Sequence, residues 1–329
     1  MPRTLHAQHD RFALSRPFRI ARGVKTAADV ITVTVTDGDD CGRGEGVPYP
    51  RYGESVESAL AAIEAVRAPL EAGAGREALL KLLPPGSARN AVDCALWDLE
   101  ARRSGRDVSD QRSAEAGRPL VTALTIGIDT PEAMALEAER LAEAPLLKVK
   151  VDASAPAGRI RAVRAAAPSA LLIVDPNESW DEALVRAMQP VLAEASVALL
   201  EQPVPAGADE WLEGFEPAVP ICADEAVHVA ADLDRIARRY QAVNVKLDKS
   251  GGLTAALDLA RGARALGLGL MTGCMISSSL SIAPALHVAR LSDFVDLDGP
   301  LWLREDRRGG IGSRNGLLFP PAPGFWGNR

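Results

Sequence analysis

From about residue 118 onward, short apolar runs alternate with alanine-rich amphipathic segments. There are eight such runs: TALTIGI, LLKVKV, ALLIVD, VALLEQP, PICADE, AVNVKLDK, LGLMTGC and FVDLDGP. A short apolar run bounded by turn residues is typical of a buried strand, and a βα unit of a parallel barrel takes about 30 residues. The pattern therefore predicts a parallel α/β barrel.

The first hundred residues have a different pattern. Residues 30–36 (VITVTVT) alternate β-branched side chains and precede the turn DGDD, which predicts a hairpin. Residues 55–70 are helical in character, and NAVDCALWDLEARR predicts a helix that Ser87 caps and Gly105 follows. Strands followed by clustered helices are typical of a small α+β domain.

The expected fold is a TIM-like (β/α)7β barrel with an α+β capping domain. We assign residues 1–115 to the N-terminal part of the capping domain and residues 116–300 to the catalytic barrel. Residues 301–329 are rich in glycine and proline, and we expect this segment to pack back on the capping domain. A length of 329 residues suits one barrel and one smaller domain.

The charge and the cysteine content of the chain limit which kinds of molecule it can bind and in which compartment it can work. The net charge of -7 and the lack of a basic run argue against nucleic acid. No apolar stretch approaches a membrane span, and the charged N-terminus lacks the apolar core of a signal peptide. Four scattered cysteines favour reduced thiols, so we expect a cytoplasmic protein with a small-molecule substrate.

Ionisable residues close most of the predicted barrel strands, at intervals of about 25 residues. Because the C-terminal ends of barrel strands face one mouth, these charges should converge there. They are Lys148, Lys150, Asp175, Glu201, Asp224, Lys249, Asp296 and Asp298. So many charges at one mouth would repel unless they neutralise one another or hold an ion.

Three carboxylates, Asp175, Glu201 and Asp224, end successive strands. Carboxylate oxygens of this kind suit Mg²⁺, whose octahedral shell is completed by water or substrate oxygen. A single such residue would be better explained as the cap of the following helix. Three at successive strand ends favour a magnesium site.

Lysines and a second acid pair accompany this triad. Lys148 and Lys150 are two apart on one strand and point to the same side, whereas Lys249 comes from a strand well round the barrel. A lysine beside a dication can act as a base, although a plain ion pair with a carboxylate is the alternative. Asp296 and Asp298 also share a strand face and could hold an ammonium group, cap a helix or pair with a lysine.

These residues resemble the enolase superfamily in its muconate-lactonizing-enzyme-like subgroup. The KVK pair, the acid triad and KLDKSGG occur in that subgroup's order. The segments PFRIARG, PYPRYGES, ARNAVDCALWDLEARR, NESW, PICADE, GCM and DLDGP are similar to the bacterial L-Ala-D/L-Glu epimerases, from about residue 17 to 303. The DLDGP acid pair is the most specific element, because it marks dipeptide epimerases within the subgroup.

The resemblance implies an enzyme of murein peptide metabolism that uses Mg²⁺ and inverts the C-terminal residue of a dipeptide by 1,1-proton transfer. It places Lys150 and Lys249 on opposite faces of the α-carbon, with Lys148 at the developing enolate oxygen. The residues that it assigns to the substrate are Asp296 and Asp298 for the ammonium group, Lys25 for the glutamate side chain, and Thr125 as a further contact. Members of the superfamily are often oligomeric, so a homo-oligomer is an open expectation.

Three alternatives stay open at this point. An N-acylamino acid racemase or an o-succinylbenzoate synthase would use the same lysines and metal, with less need for Asp296 and Asp298. A Schiff-base aldolase barrel would use Lys150 or Lys249 as a nucleophile. A binding protein without catalytic activity is the third.

Overall fold

The structure is a computed structural model that describes residues 2–108 and 118–328. The expected boundary between residues 115 and 116 lies outside these described residues. In the described part of the chain, no helix is both long and apolar enough to cross a membrane.

The N-terminal region forms an antiparallel sheet of three strands in the order β1-β2-β3. Their bounds are β1 (Thr4–Ile20), β2 (Gly23–Asp37) and β3 (Asp40–Gly46). The alternating run lies in β2, and the DGDD turn joins β2 to β3 as predicted, with Asp37 opposite Asp40. Ile31, Val33 and Val35 lie in the core between this sheet and its helices, because alternate residues of a strand share a face.

Four helices pack on this sheet: α1 (Val56–Ala65), α2 (Arg67–Glu71), α3 (Arg76–Leu82) and α4 (Ser87–Ser104). A short 3-10 turn, Pro50–Tyr52, precedes them. Ser87 is the first residue of α4 rather than its cap, and Gly105 ends the helix at φ 62° as predicted. The backbone of α4 lies directly on β3, since a Cβ at Gly44 would stand 2.1 Å from the Ala91 carbonyl oxygen.

Eight parallel strands form the barrel in chain order, which confirms the predicted fold class. They are β5 (Leu124–Ile126), β6 (Leu146–Lys150), β7 (Leu171–Asp175), β8 (Val197–Glu201), β9 (Ile221–Ala223), β10 (Ala242–Val245), β11 (Gly269–Gly273) and β12 (Phe294–Asp296), preceded by the short β4 (Leu120–Val121). The Ala123 amide donates to the Val295 carbonyl oxygen at 2.7 Å across the seam between β5 and β12.

Helices cover the outside of the barrel. They are α5 (Pro131–Arg140), α6 (Pro156–Ala166), α7 (Glu182–Glu194), α8 (Leu233–Ile236), α9 (Leu247–Ser250), α10 (Leu253–Ala265) and α11 (Ser279–Ala289). The link from β8 to β9 holds only a 3-10 turn, Glu210–Leu212, where we expected a helix. Four prolines and two glycines in residues 202–220 explain this, because both residue types disfavour a continuous helix.

The C-terminal segment contacts both parts of the molecule. Its hairpin, β13 (Gly312–Arg314) and β14 (Leu317–Phe319), pairs with β4 beside the barrel. Further along, Trp326 Nε1 donates to the Arg43 carbonyl oxygen at 2.9 Å, and the Gly327 amide donates to Asp98 Oδ1 at 2.7 Å. These bonds tie the end of the chain to β3 and α4.

Candidate active site

The parallel register brings the predicted strand-end charges together at one mouth. Lys150 on β6 lies directly opposite Asp175 on β7, and Glu201 ends β8 next to Cys222 of β9. Inside the barrel below this level, apolar side chains fill the interior, among them Leu146, Ile173 and Leu199. The ionised groups therefore lie above a closely packed layer of apolar side chains.

Lys148 lies at the centre of the acidic residues. Its Nζ stands 2.6 Å from Glu201 Oε2, 2.8 Å from Asp296 Oδ2 and 3.1 Å from Asp175 Oδ2. Burial lowers the pKa of this lysine, but Asp296, Glu201 and Asp175 overcome that effect and hold its pKa well above the ordinary value. Lys148 is therefore a fixed positive charge at the mouth.

Lys150 contacts the first acid of the triad. Its Nζ donates to Asp175 Oδ2 at 2.5 Å, and the Asn177 backbone amide donates to Asp175 Oδ1 at 2.8 Å. Burial raises the pKa of Asp175, but Lys150 and Lys148 reverse this and hold it far below the ordinary value. Asp175 therefore stays ionised although it is fully buried.

Asp224, directly after β9, pairs with two lysines. Lys246 Nζ contacts Asp224 Oδ2 at 2.7 Å, and Lys249 Nζ contacts Asp224 Oδ1 at 2.7 Å. Lys249 Nζ also donates to the carbonyl oxygens of Asp224 and Asn244, at 2.5 and 2.9 Å. Burial lowers the pKa of Lys249 more than Asp224 raises it.

Glu201 is the least neutralised acid of the triad. Asn244 Nδ2 donates to Glu201 Oε1 at 2.8 Å, whereas Glu201 Oε2 lies close to Lys148 without the geometry of a hydrogen bond. Burial, and next the negative charge of Asp175, raise the pKa of Glu201 to about 7. A nearby cation would relieve this repulsion between buried carboxylates.

The donor set fits a hard divalent cation. Three carboxylates from β7, β8 and the end of β9 supply only oxygen ligands, which Mg²⁺ prefers. Among the described residues, Glu201 Oε2 is a buried acceptor without a hydrogen bond. Within residues 2–108 and 118–328, no three acidic, histidine or cysteine side chains are arranged so that they could hold a metal ion as they stand. The acids are instead paired with Lys148, Lys150 and the two lysines on Asp224.

The DLDGP acids lie at one end of the mouth. Asp298 Oδ2 accepts from the Thr125 backbone amide at 2.8 Å and from Trp302 Nε1 at 3.3 Å. Asp296 Oδ2 contacts Lys148, while Asp296 Oδ1 is buried without a hydrogen-bond partner among the described residues. Burial, and then Asp296, raise the pKa of Asp298 to about 6. Two neighbouring carboxyl groups therefore repel each other at this end of the cavity, which favours binding of a positively charged group.

The capping domain supplies two cations at the mouth. Arg22 NH2 contacts Glu225 Oε1 at 2.6 Å, and Arg22 NH1 donates to the Asn177 carbonyl oxygen at 3.1 Å. Lys25 Nζ lies 4.7 Å from the centre of the Tyr49 ring, and no carboxylate of the described ranges forms an ion pair with it. Of these two cations, Arg22 is already paired with a carboxylate, whereas Lys25 has no such partner in the described ranges, and burial lowers its pKa.

One cavity lies between the barrel mouth and the capping domain. Six predicted site residues line it, namely Lys25, Thr125, Lys148, Lys150, Asp296 and Asp298. The other four, which are at most 1% exposed and lie behind the lining, are Asp175, Glu201, Asp224 and Lys249. The structure therefore brings all ten predicted residues to one region.

Sequence reasoning missed several lining residues, namely Phe18, Tyr49, Tyr52, Asn177, Glu225 and Trp302. A signal existed for Glu225, because it directly follows Asp224, and for the tyrosines, because PYPRYGES is an unusual aromatic loop. For Trp302 the sequence offers no signal, since its position follows from the 3-10 turn Gly299–Trp302 after β12.

Comparisons with known proteins agree with this geometry. Residues 3–111 match the family described as mandelate racemase / muconate lactonizing enzyme, N-terminal domain, and residues 133–325 match enolase C-terminal domain-like proteins. The chain is 47% identical over 306 residues to the L-Ala-D/L-Glu epimerase of Escherichia coli K12, covering 92% of this chain and 95% of that protein. It is 41% identical over 300 residues to an N-acetyl-D-glutamate racemase of Pseudoalteromonas, covering 91% and 95%.

Solved structures give the same assignment. An enolase family member from Agrobacterium tumefaciens with homology to dipeptide epimerases, bound to sodium and L-Ala-L-Glu, matches with a TM-score of 0.96 and 48% identity over 99% of this chain and 100% of that one. A dipeptide epimerase from Enterococcus faecalis, complexed with Mg and L-Leu-L-Tyr, matches with a TM-score of 0.90 and 27% identity over 98% of each chain. The chain therefore belongs to the enolase superfamily, in its muconate-lactonizing-enzyme-like subgroup, and is an isomerase.

Proposed function

We propose that this enzyme interconverts L-Ala-L-Glu and L-Ala-D-Glu. The observation that carries the proposal is the charge at two places in one cavity: the acid pair Asp296 and Asp298 on the barrel, and the available cation Lys25 on the capping domain. L-Ala-Glu has an ammonium group at one end and a side-chain carboxylate at the other, so it complements both.

The proton transfer uses two lysines in turn. In one direction, one of Lys150 and Lys249 is a neutral amine that removes the α-proton of the glutamate residue, and the electron pair of the broken C–H bond moves into the adjacent carboxylate. The other lysine, as an ammonium ion, then delivers a proton to the opposite face. One lysine gains the proton that the other loses, so the substrate changes only in configuration.

The carboxylate acquires a second negative charge during this step, and the site is built to accept it. Lys148 holds a fixed positive charge at the centre of the mouth. Asp175, Glu201 and Asp224 would hold Mg²⁺, which supplies Lewis-acid stabilisation of the developing charge. The substrate assay that tests the proposal is α-proton exchange in deuterated water across a dipeptide library, and failure of L-Ala-L-Glu to exchange contradicts it.

N-acetylation of the dipeptide should lower kcat/KM about 10- to 100-fold. Asp296 Oδ1 is a buried acceptor without a hydrogen-bond partner among the residues that the structure describes, so it offers the substrate ammonium a charge-assisted hydrogen bond. Loss of such a bond costs about 1.5–3 kcal/mol. The measurement compares L-Ala-L-Glu with its N-acetyl derivative, and the same comparison in Asp296→Asn should show a smaller ratio.

The second candidate function is N-acylamino acid racemisation, because a relative at 41% identity is an N-acetyl-D-glutamate racemase. That reaction has no ammonium group for the acid pair to bind. Preference for N-acetyl-glutamate over the free dipeptide would favour the racemase, and the lysines and metal ligands would keep their proposed roles.

Lys25→Met should reduce the preference for L-Ala-L-Glu over L-Ala-L-Leu. We expect the wild-type preference to be about 10- to 100-fold in kcat/KM, from about 1.5–3 kcal/mol for a charge-assisted contact in a closing site. Methionine keeps an unbranched side chain only one atom shorter and removes the charge, so activity on the neutral dipeptide should change little. An unchanged ratio removes Lys25 from the substrate site, and wild-type preference for leucine contradicts the glutamate assignment.

We further propose that the enzyme acts in the cytoplasm in murein peptide metabolism and cell wall recycling. The support is chemical, because L-Ala-D-Glu is a unit of murein peptides. Deletion of the gene should leave cells unable to use L-Ala-D-Glu as a source of L-glutamate, and fractionation should recover the enzyme in the cytosol.

Light scattering of the purified protein will decide whether it is a homo-oligomer.

A further inference from the structure

The two proposed bases are held in the structure in different ways. Lys150 lies within β6, and the parallel ladder to β7 fixes its backbone opposite Asp175. Lys249 lies beyond the end of β10, in the four-residue helix α9, and no strand ladder fixes it. Something other than the barrel sheet must therefore set the position of Lys249.

The capping domain contacts the turn on the C-terminal side of Lys249. Arg89 of α4 is only 5% exposed, and its NH2 donates to the Ser250 carbonyl oxygen at 2.6 Å while its Nε donates to the Gly251 carbonyl oxygen at 3.0 Å. These carbonyl groups end α9, where a helix has no internal partners for them. The planar guanidinium thus holds two successive peptide groups beside Lys249.

The capping domain also contacts the N-terminal side. Asp248 Oδ1 accepts from Asn90 Nδ2 at 2.8 Å and from the Val47 backbone amide at 2.8 Å. Asn90 is the residue next to Arg89 on α4, and Val47 directly follows β3. Lys249 is therefore bracketed on both sides by buried hydrogen bonds from the capping domain.

The glycines after Lys249 make this approach sterically feasible. A Cβ at Gly251 would stand 2.4 Å from Arg89 Nε, and one at Gly252 would stand 2.4 Å from Asp93 Cβ. Gly251 also has φ 77°, a conformation that other residues rarely adopt. The KSGG sequence thus serves contact with α4 as well as the turn itself.

We propose that Arg89 is a positioning residue for the base Lys249, and that through the Ser250 and Gly251 carbonyl groups it couples the capping domain to one of the two proton-transfer faces. This inference rests on the proposed two-lysine epimerisation. It goes beyond that proposal because the capping domain would position the base of one half-reaction, in addition to contacting the side chain of the substrate.

The test uses Arg89→Lys in the full chain with Mg²⁺, in deuterated water. Lysine keeps the charge but lacks the planar fork that reaches both carbonyl groups. From the diastereomer whose proton Lys150 removes, α-proton exchange should stay within about threefold of wild type while epimerisation falls about 10- to 100-fold, as for a misplaced catalytic group. From the other diastereomer, exchange and epimerisation should fall together. Lys249→Ala identifies which diastereomer is which, since it should give the same pattern in stronger form.

Thr254→Val is the matched control. Thr254 Oγ1 donates to Asp93 Oδ1 at 2.7 Å and accepts from Trp97 Nε1 at 3.0 Å, both on α4. This variant therefore also weakens the packing of the capping domain on the barrel, but it removes no hydrogen bond of the turn at Lys249. It should lower the rates of α-proton exchange from the two diastereomers by the same factor. Asn90→Ala, which acts on Asp248 from the other side, provides a second variant should Arg89→Lys not fold, and the same asymmetry is expected.

The positioning role is overturned if α-proton exchange falls equally from both diastereomers in Arg89→Lys and in Asn90→Ala. Failure of the parent proposal is a different result, because wild-type enzyme would then show no α-proton exchange from either diastereomer. The asymmetry between diastereomers is a readout that simple destabilisation does not produce, since a lower folded fraction scales both directions alike.

Discussion

Lys150→Ala and Lys249→Ala should each lower epimerisation of L-Ala-Glu by about 10²- to 10⁴-fold, the usual contribution of a general acid or base. Each lysine acts as base in one direction and as acid in the other, so both variants should lose both directions. Each should still exchange the α-proton of one diastereomer, and the two variants should differ in which one. Proton NMR of both diastereomers in deuterated water measures exchange and epimerisation together.

Lys81→Ala serves as the control, because Lys81 is exposed on α3 of the capping domain. It should retain wild-type rates from both diastereomers. Epimerisation at the wild-type rate in either Lys150→Ala or Lys249→Ala contradicts the two-base mechanism. Borohydride trapping of a substrate adduct without metal would point instead to the Schiff-base aldolase.

The convergence of charges at the mouth could be predicted because it follows from periodicity. In a parallel barrel every strand ends at the same face, so an ionisable residue after each apolar run must reach that face. Lys148 and Asp296 illustrate this, because they are separated by 148 residues and form a 2.8 Å contact. The strand pattern alone places both at the mouth.

Contacts between the domains could not be predicted in the same way. Arg22 contacts Glu225 on the barrel, and Arg89 contacts two carbonyl groups of the turn after Lys249, so neither contact leaves a periodic pattern in the sequence. Such contacts depend on how the capping domain sits on the barrel, which strand and helix patterns do not specify.

The missing helix between β8 and β9 has a similar cause. Its segment contains amphipathic residues such as Trp211 and Leu212, but Gly207 and Gly214 on either side of them adopt φ 89° and 79°, which interrupts a right-handed helix. The eightfold repeat of the barrel favoured a helix there, and local chemistry overrode it. The strand that follows, β9, nevertheless keeps its place and delivers Asp224 to the mouth.

Glu201→Gln should abolish activity, with a loss of at least about 100-fold, and should remove the response of the protein to Mg²⁺. Glu201 is the acid of the triad with the weakest neutralisation, and its Oε2 is a buried acceptor without a hydrogen bond. Glutamine has nearly the same shape and can still accept from Asn244, so the change removes mainly the charge. Loss of a metal ligand should exceed the 10- to 100-fold effect of changing a residue around the ligands.

Thermal unfolding separates metal binding from chemistry. A cation that binds only the folded state stabilises it by about 2.7 kcal/mol at 100 times its Kd, so Mg²⁺ should raise the Tm of wild type by several degrees. Glu201→Gln should lose this rise, and so should Asp224→Asn. Glu45→Gln is the matched control, because Glu45 is a buried carboxylate of the capping domain that pairs with Arg307 rather than facing the triad, and its Mg²⁺-dependent rise should persist. Full activity of wild type after exhaustive chelation contradicts the magnesium site, because Asp175, Glu201 and Asp224 would then serve only as partners of the lysines.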